Sequence, residues 1–421
     1  MTEVLEHRPA SSGNRPKSAV FTGIGVTAPN GLGTEAWWAA TLAGQSGIRP
    51  ITRFDPSGYP SRLAGEVQDF DADEHIPSRL LPQTDHMTRL ALTAAKEALD
   101  DAGVDPAELP EFSAGVVTSS SAGGFEFGQR ELEALWSKGG KYVSAYQSFA
   151  WFYAVNSGQI SIRHGLRGPS GVLVTEQAGG LDALGQARRQ LRKGSLLMVT
   201  GGVDGAVCPW GWTAQLAGGR LSREDRPERG YLPFDADADG HVPGEGGALL
   251  VLEDEAAARE RGAHVHGRLA GYAATFDPAP GTTAAASSSL QRAIELAISD
   301  AELTPQQIDV VFADAAGLAE LDLLESDALA AVFGPWAVPV TAPKTMTGRL
   351  SAGGASLDAA AALLSIRDQV IPPTVNTGHR AEGIRIDLVT ETRPHPVRAA
   401  LVVARGHGGF NAAAVITAAG Q

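Results

Sequence analysis

A single cysteine, Cys208, stands in a chain of 421 residues, so no internal disulfide can form, and no Cys/His spacing resembles a zinc site. This usage fits a cytoplasmic protein that requires no metal. Basic residues are scarce: 34 Lys and Arg against 48 Asp and Glu leave a formal net charge of −14, a balance that disfavours nucleic acid as a partner because phosphates draw on clustered cations. Long hydrophobic runs are missing too. No segment reaches the ~18 uninterrupted apolar residues of a membrane span, and residues 1–17 lack the apolar stretch of a signal peptide, reading instead as a flexible tail. What is plentiful is glycine, 50 residues, in a chain that is 43% hydrophobic, which points to tight turns and close backbone approaches around a large core. The length suggests two domains or one duplicated domain.

Two kinds of apolar run alternate. Short β-branched runs at Ala19–Phe21, Val172–Val174, Leu196–Thr200, Ala248–Leu252, Val310–Phe312 and Leu401–Ala404 suit buried strands. Longer segments at Thr88–Ala102, Phe125–Trp136, Leu181–Arg192, Leu290–Ala301, Leu321–Phe333 and Leu357–Arg367 carry helical spacing. Interleaving of this kind predicts an α/β architecture with helices covering a buried sheet. Ala178-Gly179-Gly180 with Leu181-Asp182-Ala183 is echoed by Ala352-Gly353-Gly354 with Leu357-Asp358-Ala359, a weak sign of duplication, and the halves divide as 18–262 and 263–421.

Several motifs carry less than they promise. Gly23-Ile24-Gly25-Val26-Thr27-Ala28 follows a strand but runs into the turn Pro29-Asn30-Gly31, where a dinucleotide fingerprint needs a helix. Asp235, Asp237 and Asp239 imitate a calcium loop whose twelfth position, Gly246, offers no carboxylate. The informative window is Gly171 to Gly180, a strand turning through small residues into a helix, the geometry of a nucleophile elbow. Its tip is Gln177. An amide can donate and accept hydrogen bonds but cannot attack an acyl carbon; an ordinary strand–helix turn with a solvated Gln is the competing reading. Cys208 lies off the elbow with no evident base and reads as a buried structural thiol. His264, His266 and His379 read as surface residues, and Arg188, Arg189, Arg192 and Lys193 as a complement to a helix dipole. Phe125, Gly128, Leu132 and Leu135 or Trp136 share one helix face, as core packing or as a functional wall.

In their order, Gly23 to Gly31, Leu80-Leu81-Pro82-Gln83-Thr84-Asp85, Ser148-Phe149-Ala150-Trp151-Phe152-Tyr153, Pro233-Phe234-Asp235 and Pro243-Gly244-Glu245-Gly246-Gly247 resemble β-ketoacyl synthases of the thiolase fold. Within them the chain is similar to the chain length factors, the ketosynthase β subunits of type II polyketide synthases. The likeness runs from about Ser18 to Ile416. It implies two duplicated α/β halves in a layered α-β-α-β-α arrangement.

The resemblance also implies where chemistry would sit. The family's Cys nucleophile corresponds to Gln177; its Asn-Ala-His-Gly-Thr motif reads Asp314-Ala315-Ala316-Gly317-Leu318, placing Ala316 at the first His; its Lys-x-Met-x-Gly-His motif reads Lys344 to Gly348 and then Arg349, placing Arg349 at the second. Only Lys344 is retained. The Gly-Phe-Gly-Gly-Phe turn reads Gly406-His407-Gly408-Gly409-Phe410. No catalytic residue for condensation is therefore expected, nor any cofactor bound by this chain, with phosphopantetheine arriving on an acyl carrier protein. The implied partners are a catalytic ketosynthase α subunit, in a heterodimer, that carrier protein and the growing polyketide chain. Phe125, Gly128, Leu132 and Trp136 are expected along the polyketide tunnel, where Gly128, costly in a helix, would leave open volume and so allow a long aromatic product. The basic cluster from Arg188 to Lys193 would alternatively dock the acidic carrier. The alternative function is decarboxylation of malonyl-carrier protein through Gln177.

Overall fold

The structure is a computed structural model that describes residues 18–121, 123–277 and 283–420, the side chains of 283–287 excepted. The tail expected over 1–17 lies outside the described residues. Strand β1 (Ala19–Ala28) is buried along its whole length, as the absence of any charge in AVFTGIGVTA requires. Helix α1 (His86–Ala102) packs onto it. Gly23 and Gly25 make this approach possible: a Cβ on either would lie 2.0 Å from the Ala98 carbonyl oxygen or 1.9 Å from that of Ala94. The fingerprint-like glycines thus serve helix–sheet contact. Asp85 caps α1, accepting from Met87 N at 2.9 Å, and the same carboxylate accepts from Phe127 N at 2.8 Å.

The first half continues through β2 (Ala114–Ser119), α2 (Phe125–Lys138), α3 (Val155–His164), β3 (Ser170–Leu173), α4 (Gly179–Arg192), β4 (Leu197–Asp204), α5 (Pro209–Ala217) and β5 (Gly246–Asp254). The second contains β6 (Gly267–Phe276), α6 (Thr283–Asp300), β7 (Val310–Phe312), α7 (Ala319–Phe333), β8 (Pro339–Thr341), α8 (Gly354–Asp368), β9 (Ala399–Gly406) and β10 (Phe410–Thr417). The strand orders are β3-β2-β4-β5-β1 and β8-β7-β9-β10-β6. In each half the first two pairings are parallel and the last two antiparallel. Every strand of one half therefore has a counterpart five strands later.

The halves join where β1 meets β6, through the pairs Val20↔Arg268 and Phe21↔Gly267. Helices α4 and α8 pack on each other and on strands of both halves, with α1 outside one half of the sheet and α6 outside the other. This is the layered, thiolase-like arrangement that the resemblance implied. Strands β6 and β10 were not legible: GRLAGYAATF and FNAAAVIT are Ala- and Gly-rich, and their burial comes from helices packing above rather than from bulky side chains. Among the described residues no helix is long and apolar enough to cross a membrane.

Candidate functional site

The elbow is present. Strand β3 leads through Thr175 into a 3₁₀ turn, Glu176–Ala178, and then into α4. Glu176 holds a left-handed φ of 52°, rare for a residue with a side chain, and such strain collects at functional turns. Gln177 is not solvated. It is 3% exposed, and with oxygen and nitrogen assigned to satisfy both, its amide donates to Ser351 O at 3.1 Å and accepts from Ser351 N at 2.9 Å. Both faces of the amide are engaged, so the tip residue closes a gap between the approaches to α4 and α8.

The two other motif positions meet the elbow at the same cavity, lined by Gln177, Ala316, Arg349 and Ser351 and about 560 Å³ in volume. Ala316 is buried and offers only a methyl group. Arg349 is buried and grips Asp314, at 3.0 Å and 3.3 Å between Nη2 and the two carboxylate oxygens, while Nη1 donates to the carbonyls of Asp314 at 2.7 Å and Ala315 at 3.2 Å. Burial alone would raise the Asp314 carboxyl, yet the Arg349 and Lys344 charges hold it below its usual range. The guanidinium is therefore a strut inside the loop, committed to an internal ion pair.

Lys344 lies 2.7 Å from Asp358 and also donates to the Ala313 carbonyl. Two further carboxyls back the loop. Asp322 accepts from Phe234 N at 2.9 Å and Gly317 N at 3.1 Å, and burial pushes its pKa up to about 7. Glu325 accepts from Asp314 N at 2.7 Å and Ala315 N at 2.8 Å, and burial, reinforced by the Asp314 charge, raises it as well. The loop is thus held from behind by carboxyl-to-amide bonds that do not depend on an imidazole at position 316.

The Gly406–Phe410 turn joins β9 to β10, and His407 N, which rims the cavity, is taken by the Glu176 carboxylate at 2.9 Å. Cys208 is buried, and burial, reinforced by the Glu126 and Asp85 charges, pushes its thiol up to about 11, as expected of a structural thiol. Asp235, Asp237 and His379 do come together, with ligand atoms within 4.8 Å. Asp235, however, accepts from three backbone amides, those of Asp237, Gly378 and His379, and Asp237 pairs with Arg229 at 2.9 Å. These bonds close a loop.

Two readings need correction. Gly128 does not face open volume: a Cβ there would lie 2.9 Å from Trp210 Cζ3, because α5 brings that indole against α2. Nor is Arg188 part of an exposed basic cluster. It is buried, pairs with Asp300 and donates to Ala270 O at 3.2 Å, tying α4 to the second half. The stripe on α2 is buried only in part. The buried residues of α2 are Phe127, Gly128 and Glu131, whereas Trp136 is 82% exposed and Leu132 half-buried; Phe125 lines the elbow cavity.

The sequence reading passed over Ser351, Asp204 and Arg220. Ser351 directly precedes the echoed Ala-Gly-Gly, which was its signal. Asp204 ends β4, accepts from Ser121 N at 2.6 Å and Gly205 N at 3.1 Å, and is pushed up to about 6 by burial. Arg220 sits in a glycine-flanked loop and gave no signal.

The chain matches the β-ketoacyl synthase N-terminal domain over residues 17–258 and the C-terminal domain over residues 266–378. It is 61% identical over 404 residues to the tetracenomycin polyketide synthase ketoacyl synthase beta subunit of Streptomyces glaucescens, covering 95% of this chain and 98% of that protein. Among solved structures it is similar to the ishigamide ketosynthase/chain length factor, at 30% identity and a TM-score of 0.87 over 96% of this chain and 100% of that one. It also resembles a type II acyl-carrier protein complex with its ketosynthase bound to a hexaketide, at 26% identity and a TM-score of 0.85, over 96% and 100% of the two chains. With its duplicated fold, its elbow and its relatives in agreement, the chain belongs to the β-ketoacyl synthase family and, within it, to the ketosynthase β subunits of type II polyketide synthases.

Proposed function

We propose that this chain is the non-catalytic, chain-length-setting half of a heterodimer with a catalytic ketosynthase α subunit, and that it limits the growth of a poly-β-ketone delivered on an acyl carrier protein. The observation that carries this reading is the closed state of the elbow: Gln177 is buried and doubly bonded to Ser351, while Arg349 is spent on Asp314. A nucleophile, a general base and an enolate-stabilising imidazole are all missing from an otherwise complete scaffold. Decarboxylation through Gln177 is disfavoured on the same ground, since its buried amide is oriented by Ser351 and no imidazole at 316 or 349 stands ready to stabilise an enolate.

Partner binding has its own support. Strand β3 is the edge of the sheet and is only partly covered, and Val174 beside it is 47% exposed. Trp151, Phe152 and Tyr153, each about 40% exposed, and Trp136 add an aromatic surface of the kind that marks an interface. The reading places Phe125, Leu132 and Trp136 on the tunnel wall at that interface. The test is co-expression with a catalytic ketosynthase α subunit, light scattering of the product, and intact mass of this chain after incubation with acyl-carrier protein. A 1:1 complex with no adduct on this chain is expected; a stoichiometric acyl adduct on it overturns the proposal.

A further inference from the structure

Among the described residues, the Arg349 and Arg405 guanidiniums of the elbow cavity are hydrogen-bonded, whereas that of Arg220 is not. Arg220 lines the cavity and is half-buried, yet among the described residues its guanidinium has no hydrogen-bond or ion-pair partner. The acidic groups of the cavity wall are engaged elsewhere. Asp314 is held by Arg349, Asp204 by the amides of Ser121 and Gly205, and Asp277 by Asn411 Nδ2 at 2.9 Å. Glu176, the acid with the largest influence on Arg220, accepts from His407 N. Glu320 is exposed at the rim.

Beside Arg220, His241 follows it across the bridge Leu221↔His241, and its Nδ1 is shielded from solvent with no partner among the described residues. Its pKa is pushed down to about 3, first by burial and then by the Arg349 and Arg220 charges, so the ring is neutral and adds no competing cation. The same cavity carries apolar lining from Leu321, Leu324 and Phe410, and Phe276 stands edge-on to Phe410 at 5.1 Å.

We propose that this cavity is a binding site for a small organic carboxylate with an apolar body, its carboxylate held by the fork of Arg220 and its body against Leu321, Leu324 and Phe410. A half-buried cation with no direct ion-pair or hydrogen-bond partner among the described residues is costly, and a guanidinium matches a carboxylate in a bidentate geometry. The site takes a free acid non-covalently; no bond is made or broken. It does not depend on the chain-length reading: although Gln177, Ser351 and Phe125 line the same cavity, the test reads binding of a free acid to this chain and not the length of a product.

The experiment is titration calorimetry on the full chain with octanoate, octanamide as the uncharged isostere, and the variants Arg220→Gln and Arg220→Lys, each checked by far-ultraviolet circular dichroism. One octanoate per chain is expected, with octanamide at least tenfold weaker, at least tenfold loss of octanoate affinity in Arg220→Gln and an intermediate loss in Arg220→Lys. Since the Arg220 guanidinium has no hydrogen-bond or ion-pair partner among the described residues and its backbone bond from His241 N is kept in both variants, the variants should fold. Equal binding of octanoate and octanamide, unchanged affinity in a folded Arg220→Gln chain, or no octanoate binding at millimolar concentration overturns the proposal.

Discussion

Gln177 and Ser351 are joined by two hydrogen bonds, side-chain amide to main chain, although one belongs to the approach to α4 and the other to the approach to α8. The position at which the resemblance places the family's nucleophile is here a clasp between the two halves. Replacing Gln177 with Ala leaves the Ser351 N–H without its acceptor, while the Ser351 carbonyl still accepts from Gly354 N, a loss of about 1 to 3 kcal/mol. Urea denaturation should show the drop in the midpoint. A variant as stable as the parent would mean that the clasp contributes nothing.

Gly128 allows Trp210 to lie against α2. Gly128→Ala removes a helix-interior glycine, worth about 1 kcal/mol in helix propensity, but drives a methyl group into the indole, where overpacking costs about 1 to 3 kcal/mol. Net destabilisation is expected, and the double variant with Trp210→Leu should recover it. The double-mutant cycle by thermal denaturation decides between contact and propensity.

One turn further along the same face of α2, Leu132 is half-buried, and Leu132→Phe fills space beside it. In a complex with a ketosynthase α subunit the substitution should shorten the product while the complex assembles at normal yield. Mass spectrometry of the released polyketides is the measurement. An unchanged product spectrum from an intact complex would remove Leu132 from the tunnel wall.

Asp322 gives a pH signature. Its folded pKa, about 7, stands above the unfolded value near 3.8, so the folded state binds the extra proton between these limits. Stability from this group is present below the unfolded pKa and is lost as pH rises through about 7. Asp322→Asn does not titrate. The stability of Asp322→Asn relative to the parent should therefore climb from pH 4 to pH 7 and level off above it, by as much as roughly 4 kcal/mol. A flat difference across that range would show that the carboxyl is not raised.

Cys208, with its thiol pushed up to about 11, should be slow to react in the native chain. Iodoacetamide at pH 8 should label it only on unfolding. Rapid native labelling would place it in an accessible, activated setting.

Much of the architecture was legible because periodicity reports which face of a segment is buried. The runs at Val310–Phe312 and Leu401–Ala404 lie in β7 and β9, and those at Leu181–Arg192 and Leu357–Arg367 in α4 and α8. The weak Ala-Gly-Gly echo pointed to a real duplication, seen in two identical strand orders. Its register was misleading. The glycine pairs suggest Gly179 with Gly353, but the helices begin at Gly179 and Gly354, and the left-handed residues three positions earlier are Glu176 and Ser351. Backbone conformation, which composition does not encode, sets the equivalence.

By itself, the sequence determined the fold class and the location of the elbow, because each follows from local pattern and motif order, and its resemblance to the family implied which residue types stand at the nucleophile and imidazole positions. Only the tertiary structure decided what those residues do. Whether Gln177 meets water or Ser351, whether Gly128 faces a void or Trp210, and whether Arg188 and Arg349 are free cations or paired struts depends on segments distant along the chain. Pairing and packing energies arise between elements brought together by the sheet, and a side chain carries no mark of its partner until the chain has crossed itself.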